Sequence, residues 1–221
     1  MSERLDEKQP TPEDALARTV AARRGDESVV VRALRELGAV DRAVYRAVAD
    51  TPTPVLDGPV RRLSTAANHS RLWLGLAAVI AALGGRRGRR AAVEGVVAIG
   101  VTSAAVNLGL KPIARRRRPT RSSPYDDRFV AMPGSTSFPS GHAASAFAFG
   151  YAVGRHVPGL AVPIRLLAGG VAYSRVHTGV HYPGDVVIGS VVGAGTAAMV
   201  AGAFDRIGVV GRGQGRSGDG A

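Results

Sequence analysis

Apolar residues in this chain do more than recur at intervals; over long stretches they run together. Four such runs stand out: AAVEGVVAIGVTSAAVNLGL (91–110), GHAASAFAFGYAVGRHV (141–157), LAVPIRLLAGGVAYS (160–174) and DVVIGSVVGAGTAAMVAGAF (185–204). As helices, the first and last would each be roughly 30 Å long, enough for the hydrocarbon layer of a bilayer. The middle two are shorter and more polar, as inner helices of a bundle can be. LWLGLAAVIAALGG (72–85) makes a fifth span if residues 66–71 extend it. A helix that is apolar all round is buried or in lipid. A chain of 221 residues cannot bury so many in water, which disfavours a soluble helical bundle. The Gly, Ala and Ser within the runs allow close helix packing in lipid.

Residues 29–49 follow another pattern. Val31, Leu34, Leu37, Val40, Val44 and Val48 fall at steps of three and four with Arg and Asp between them. That spacing predicts an amphipathic helix with an arginine-rich face, lying at a membrane interface or along a bundle without crossing. Residues 1–28 mix charges with proline and lack the apolar core of a signal peptide; residues 206–221 are rich in glycine. The expected architecture is all-α: an integral membrane helical bundle of about five transmembrane helices plus an N-terminal amphipathic helix. Its parts are a flexible polar tail (1–28), an amphipathic helical segment (29–65), the membrane domain (66–205) and a flexible Gly-rich tail (206–221).

Charge narrows the choice of partner. With 29 Lys and Arg against 17 Asp and Glu, the formal net charge is +12, which suits nucleic acid, an anionic membrane surface or phosphorylated substrates. Aromatic residues are only 5% and form no stacking platform between the basic clusters, which instead flank apolar runs. No nucleic-acid partner is therefore expected. Cysteine is absent, excluding disulfides, a thiol nucleophile and Cys-ligated metal. The cations are almost all arginine. Only Lys8 and Lys111 are lysines, so Lys111 calls for a specific reason.

Three polar clusters lie at the ends of the apolar runs: KPIARRRRP (111–119), FPSGH (138–142) and SRVHTGVHYPGD (174–185). If successive spans cross in alternate directions, all three emerge on one side and can meet. Lys111 and Arg118 are seven apart and would face one way if helix continues past Pro112. With Arg175 they supply three cations for phosphate oxygens. Ser140 suits a helix N-cap, and Gly141 lets the backbone approach an anion at the helix N-terminus. This would make a phosphate cradle without a metal. His181 and Asp185 are four apart where the last helix should begin, so the carboxylate can fix the imidazole's tautomer. His181 would then attack phosphorus while His142 protonates the departing oxygen, giving a bell-shaped pH profile.

Lys-x6-Arg-Pro at 111–119, Pro-Ser-Gly-His at 139–142 and Ser-Arg-x5-His-x3-Asp at 174–185 together resemble the three-part signature of the type 2 phosphatidic acid phosphatase family. These are membrane lipid phosphatases that share their site with vanadium haloperoxidases. The resemblance covers roughly residues 66–204, and the chain departs from the family at its N-terminus. It implies His181 as nucleophile, His142 as acid, and phosphate contacts from Lys111, Arg118, Ser140, Gly141 and Arg175. It further implies a phosphohistidine intermediate and no metal or other cofactor.

The expected reaction is removal of phosphate from a lipid phosphate or diphosphate. A polyprenyl diphosphate, polyprenyl-phosphoryl-phosphoribose, phosphatidic acid and phosphatidylglycerol phosphate all remain open as substrates. A haloperoxidase holding vanadate is the rival, disfavoured because such soluble enzymes need no apolar spans. Membrane lipids are the expected surroundings, in a bacterial plasma membrane with the site outward, and the sequence sets no oligomeric state. His177 is expected to be a solvated loop residue, and His69 and His156 interfacial. Arg115, Arg116 and Arg117 read as a solvated basic face. In the long loop 119–138, Arg121, Asp126, Asp127 and Arg128 either pair with one another or read the headgroup.

Overall fold

A computed structural model describes residues 11, 13, 29–121 and 125–214, with side chains described as far as Ile207. The expectations for residues 1–28 and 215–221 lie outside the described residues. The chain divides into two compact units, Met1–Val40 and Asp41–Ala221. Among the described residues all regular structure is helical, as the apolar runs predict: α1 (Val29–Asp50), α2 (Pro54–Ala66), α3 (Arg71–Leu83), α4 (Gly85–Ala104), α5 (Gly141–His156), α6 (Pro158–His177) and α7 (Pro183–Gln214). A π-turn (Ala105–Leu110) and a last α-turn (Lys111–Ala114) extend α4.

The predicted amphipathic helix is α1, and Val31, Leu34, Leu37, Val40 and Val44 are all exposed along it. The segment 29–65 is two helices, not one. Pro52 and Pro54 separate them, because proline removes a donor and disfavours α geometry in the residue before it. Pro54 then opens α2.

The core of the larger unit is built around α5, which packs against α4, α6 and α7. Ala143, Ala144, Ala146, Ala148, Phe149, Ala152 and Val153 of α5 are fully buried. Trp73 of α3 packs on Phe149 with ring centroids 5.5 Å apart. Small residues on the neighbours permit this closeness. A methyl group on Gly95 would lie 2.8 Å from the Phe149 ring, and one on Gly189 would lie 2.5 Å from the Ser140 carbonyl oxygen. At Gly193 it would overlap the Ala144 carbonyl. Glycines 189 and 193, one turn apart on α7, thus let two backbones touch beside Ser140.

Two boundaries differ from expectation. Residues 66–70 do not extend the helix Arg71–Leu83: His69 and Ser70 have φ of 52° and 58°, and an α-helix cannot pass through left-handed residues. The helix of the run 91–110 starts earlier, with Arg86, Arg87, Arg89 and Arg90 in the first turns of α4 after Gly85 at φ 57°. The last helix is described from Pro183 through Gln214.

Among the described residues, two helical stretches, Gly85–Ala114 and Pro183–Ile207, are long and apolar enough to cross a membrane. Both point apolar side chains outward: Val93, Val96, Val97, Val101 and Leu108 on one, Val187, Ile188, Val191 and Met199 on the other.

Candidate active site

The local folding of SRVHTGVHYPGD explains its spacing. Helix α6 ends at His177, and Gly179, at φ 69°, turns the chain in the left-handed region. Its N–H donates to the Val176 carbonyl, while those of Val180 and His181 both donate to the Arg175 carbonyl. This is a Schellman-type helix stop. It fixes the five residues between Arg175 and His181. Pro183 then opens α7, and Asp185 at its third position reaches back to accept from the Tyr182 N–H at 2.9 Å, half of a capping box. The N–H of Gly184 donates to Asp41 Oδ1 at 2.7 Å, so a second carboxylate stabilises the same helix terminus.

His181 is 2% exposed and Asp185 is 0%. Their Nδ1 and Oδ2 atoms are 3.5 Å apart. Asp185 Oδ2 also accepts a short hydrogen bond from the Ser137 hydroxyl, and Oδ1 accepts from Arg116 Nη1 at 2.8 Å. Arg116 bridges onward to Asp41 at 2.5 Å and lies 4.3 Å over the Tyr182 ring. A buried carboxylate needs such a set of donors. On the other edge of the imidazole, Arg118 Nη1 stands 3.2 Å from Nε2. A guanidinium only donates. Nε2 must therefore accept, and in the neutral ring the proton sits on Nδ1, toward Asp185 and Ser137. Burial depresses the imidazole pKa to about 4, with Arg118 and Arg175 acting in the same direction and Asp185 opposing them. His181 is accordingly neutral, with its lone pair on the Arg118 side.

A cavity of about 360 Å³ is lined in part by Lys111, Arg118, Gly141, His142 and His181. These five predicted residues come together. The other three stand outside its wall. Ser140 is fully buried as the expected N-cap of α5, accepting from the Ala143 N–H at 3.4 Å, and its own N–H donates to the Asp185 carbonyl at 2.9 Å. Asp185 lies behind His181. Arg175, expected at the phosphate, does not line the cavity: its Nη1 donates to Ser64 Oγ at 2.5 Å, because a buried guanidinium must find acceptors. Helix does not continue from Lys111 to Arg118 either. It stops at Ala114, and Arg115 has φ of 44°. The two cations nevertheless meet at one residue: Lys111 Nζ donates to Ser135 Oγ at 3.1 Å, and Arg118 Nε to the Ser135 carbonyl at 2.9 Å. His142 Nε2 is 2.9 Å from Asn68 Oδ1.

The sequence reading missed Arg116, Ser137, Asp41 and Asn68. Arg116 is no solvated cation; it is the partner of Asp185. The signal for Ser137 was its place just before FPSGH, and for Asn68 its place at the junction before an apolar run. His177, expected in a solvated loop, is 2% exposed at the end of α6 and bonded to Asp57 at 2.8 Å. The loop charges do not pair among themselves in the expected way. Arg128 is buried against Asp57 at 3.3 Å and donates to the Val48, Ala49 and Thr51 carbonyls at the end of α1. Arg121 donates to the Val130 carbonyl at 2.6 Å.

Residues 91–207 match the PAP2 superfamily. The chain is 37% identical over 169 residues to a decaprenylphosphoryl-5-phosphoribose phosphatase of Mycobacterium tuberculosis, covering 76% of this chain and 91% of that one. To the protein of the same name from Mycolicibacterium smegmatis it is 37% identical over 172 residues, 76% of this chain and 83% of the other. The fold is similar to the crystal structure of a transmembrane PAP2-type phosphatidylglycerolphosphate phosphatase from Bacillus subtilis, with TM-score 0.61 and 24% identity over 78% of this chain and 88% of that one. The chain belongs to the PAP2 superfamily. It is a phosphoric ester hydrolase of the lipid phosphatase type.

Proposed function

We propose that this enzyme removes the terminal phosphate of a polyprenyl-phosphoryl-phosphoribose, with His181 as nucleophile and His142 as acid. The substrate class rests on the two mycobacterial relatives, whose names specify a 5-phosphoribose carrying a decaprenylphosphoryl group. In such a molecule the decaprenylphosphoryl link is a diester and the 5-phosphate a monoester. A phosphohistidine mechanism takes the monoester.

Lys111 and Arg118 hold the phosphate oxygens, beside the helix N-terminus at Gly141. Nε2 of neutral His181 attacks phosphorus; the P–O bond to the ribose breaks, and His142, kept protonated by the negative charge of the bound phosphate, gives its proton to the departing oxygen. The new imidazole–phosphorus bond leaves a cationic ring, which Asp185 and Ser137 stabilise at Nδ1. Water then attacks the phosphohistidine, passing its proton to His142, and the N–P bond breaks. Free phosphate and the starting protonation states result. Arg175, held by Ser64, acts from behind the cavity wall through its charge. Asn68 orients the His142 ring.

The observation that carries this reading is the acceptor state of His181 Nε2, imposed by Arg118 beside a cavity that Lys111 also enters. The test is transfer of ³²P from labelled lipid phosphate to the protein. Wild type should give an acid-labile label at His181; a label undiminished in His181→Ala would refute the assignment.

Residues 66–205 form the phosphatase domain in this reading, crossing the membrane about five times in a bacterial plasma membrane. The site faces outward. Arg86, Arg87, Arg89 and Arg90 begin the helix whose other end carries Lys111, and dense arginine favours the cytoplasmic side. A cysteine at exposed Met132 should react with an impermeant thiol reagent in intact cells. Protection until lysis would reverse the orientation.

A further inference from the structure

Two local irregularities face the same cavity, and neither is needed to hold a phosphate. One is the π-turn Ala105–Leu110, which follows Ser103 and carries Asn107. Ser103, Asn107 and Lys111 are spaced four apart along this helix, and all three line the cavity. They form a polar stripe ending at the phosphate cation on a helix that otherwise presents apolar side chains outward. Wide turns of this type inside α-helices gather at functional sites. The other irregularity is the junction between α2 and α3. There His69 and Ser70 both adopt left-handed backbone without being glycine, and both line the cavity. Such conformations cost free energy and persist where the surroundings impose them. The residue before them, Asn68, holds His142.

The side chains of His69, Ser70, Ser103 and Asn107 make no hydrogen bond to other described residues. Each of these side chains can both donate and accept, which matches the chemistry of a sugar hydroxyl. A second phosphate would instead call for cations, and an acyl glycerol would leave most of these groups unmatched. The cavity volume of about 360 Å³ falls in the range of small-molecule sites, about 300–1,000 Å³, so a phosphosugar fits its scale.

We infer that Ser103 and Asn107 on one wall, with His69 and Ser70 on the other, form a subsite for the ring hydroxyls of the phosphosugar and set the enzyme's preference for it. The inference rests on the phosphoribose reading and deepens it. A site built to pair with hydroxyls discriminates against an analogue lacking them, because its own polar groups lose their partners.

The experiment compares two substrates with full-length enzyme in detergent: farnesylphosphoryl-5-phosphoribose and its analogue without the 2- and 3-hydroxyls. Wild type should prefer the hydroxylated compound in kcat/KM by at least ~30-fold, and in the double variant Ser103→Ala, Asn107→Leu this ratio should fall to within ~3-fold. The ratio is unaffected by any fraction of enzyme that fails to fold. A variant that keeps the wild-type ratio, at whatever absolute rate, would overturn the inference and leave the substrate reading standing. Equal turnover of both compounds by wild type would also overturn it. A wild type that hydrolyses phosphatidic acid but neither ribose compound would instead remove the substrate reading, and the subsite with it.

Discussion

The two ends of the α4–α5–α7 bundle use nearly the same ingredients for opposite ends. At one, His181 and Asp185 are buried with Ser137, Arg116 and Arg118. At the other, partly exposed His156 pairs with buried Glu94 at 2.7 Å, Arg155 Nε lies 3.4 Å from Glu94, and the Arg155 fork grips Asp205. That second end has the larger cavity, about 440 Å³, rimmed by Arg89 and Arg90. Cavity size and a His–carboxylate pair therefore do not separate the two ends. Openness of the chemistry does. Around Glu94 the Arg155 and His156 donors both end on carboxylates. Around His181 the carboxylate is satisfied from behind, while His181 and Lys111 both line a cavity.

This contrast can be broken most decisively at the histidines. His181→Ala should reduce kcat by ~10⁴-fold or more, whereas His156→Asn should leave it within ~3-fold; steady-state assays on the same lipid phosphate decide between them. Comparable losses at both positions would erase the distinction between the two ends. Next in size is Arg116→Gln, which removes the donor behind Asp185 and should lower kcat ~10- to 100-fold with KM little changed, with partial recovery in Arg116→Lys.

The pH profile sharpens the comparison further. Neutral His181 is the reactive form, so kcat/KM is lost as pH falls through its pKa, and that acid limb should lie near pH 4, well below the ordinary histidine range. Asp185 holds the pKa up and Arg118 holds it down. Asp185→Asn should therefore shift the limb to lower pH and Arg118→Gln to higher pH, whatever each does to the plateau rate. The smallest effect on turnover is expected from Glu94→Gln. It should leave kcat within ~3-fold yet destabilise the protein by ~3 kcal/mol, because Arg155 and His156 lose the acceptor they share in the bundle. Thermal unfolding in detergent measures it.

Much of this site was legible in the sequence because its residues sit where apolar runs stop. His142, Ser140 and Gly141 mark a helix start by local chemistry alone, and Asp185 reads as the third residue of a helix opened by Pro183. What stayed hidden depends on distant partners. Within ARRRRP nothing local separates Arg116 from Arg115 and Arg117; only a fold that brings Asp41 and Asp185 together singles it out. Arg175 looked like a free clamp because Ser64, far off along the chain, is invisible to spacing. The left-handed break at His69 and Ser70 occurs without glycine or proline, so no breaker signal announced it. The all-helical class was readable from apolar periodicity, while the exact ends of α4 and α7 were not, since glycine and arginine fit both helix and turn.

The contact of α7 with α5 through Gly189 and Gly193 has a consequence for how this enzyme can change. Main chain meets main chain there, beside Ser140, so His142 at the head of one helix and Asp185 at the head of the other are held in register by backbone shape. Side chains on the outer face of α7 take no part in that alignment. A lineage moving to membranes of different thickness or lipid content can rewrite that outer face freely. The two glycines tolerate almost no replacement, although neither carries a functional group.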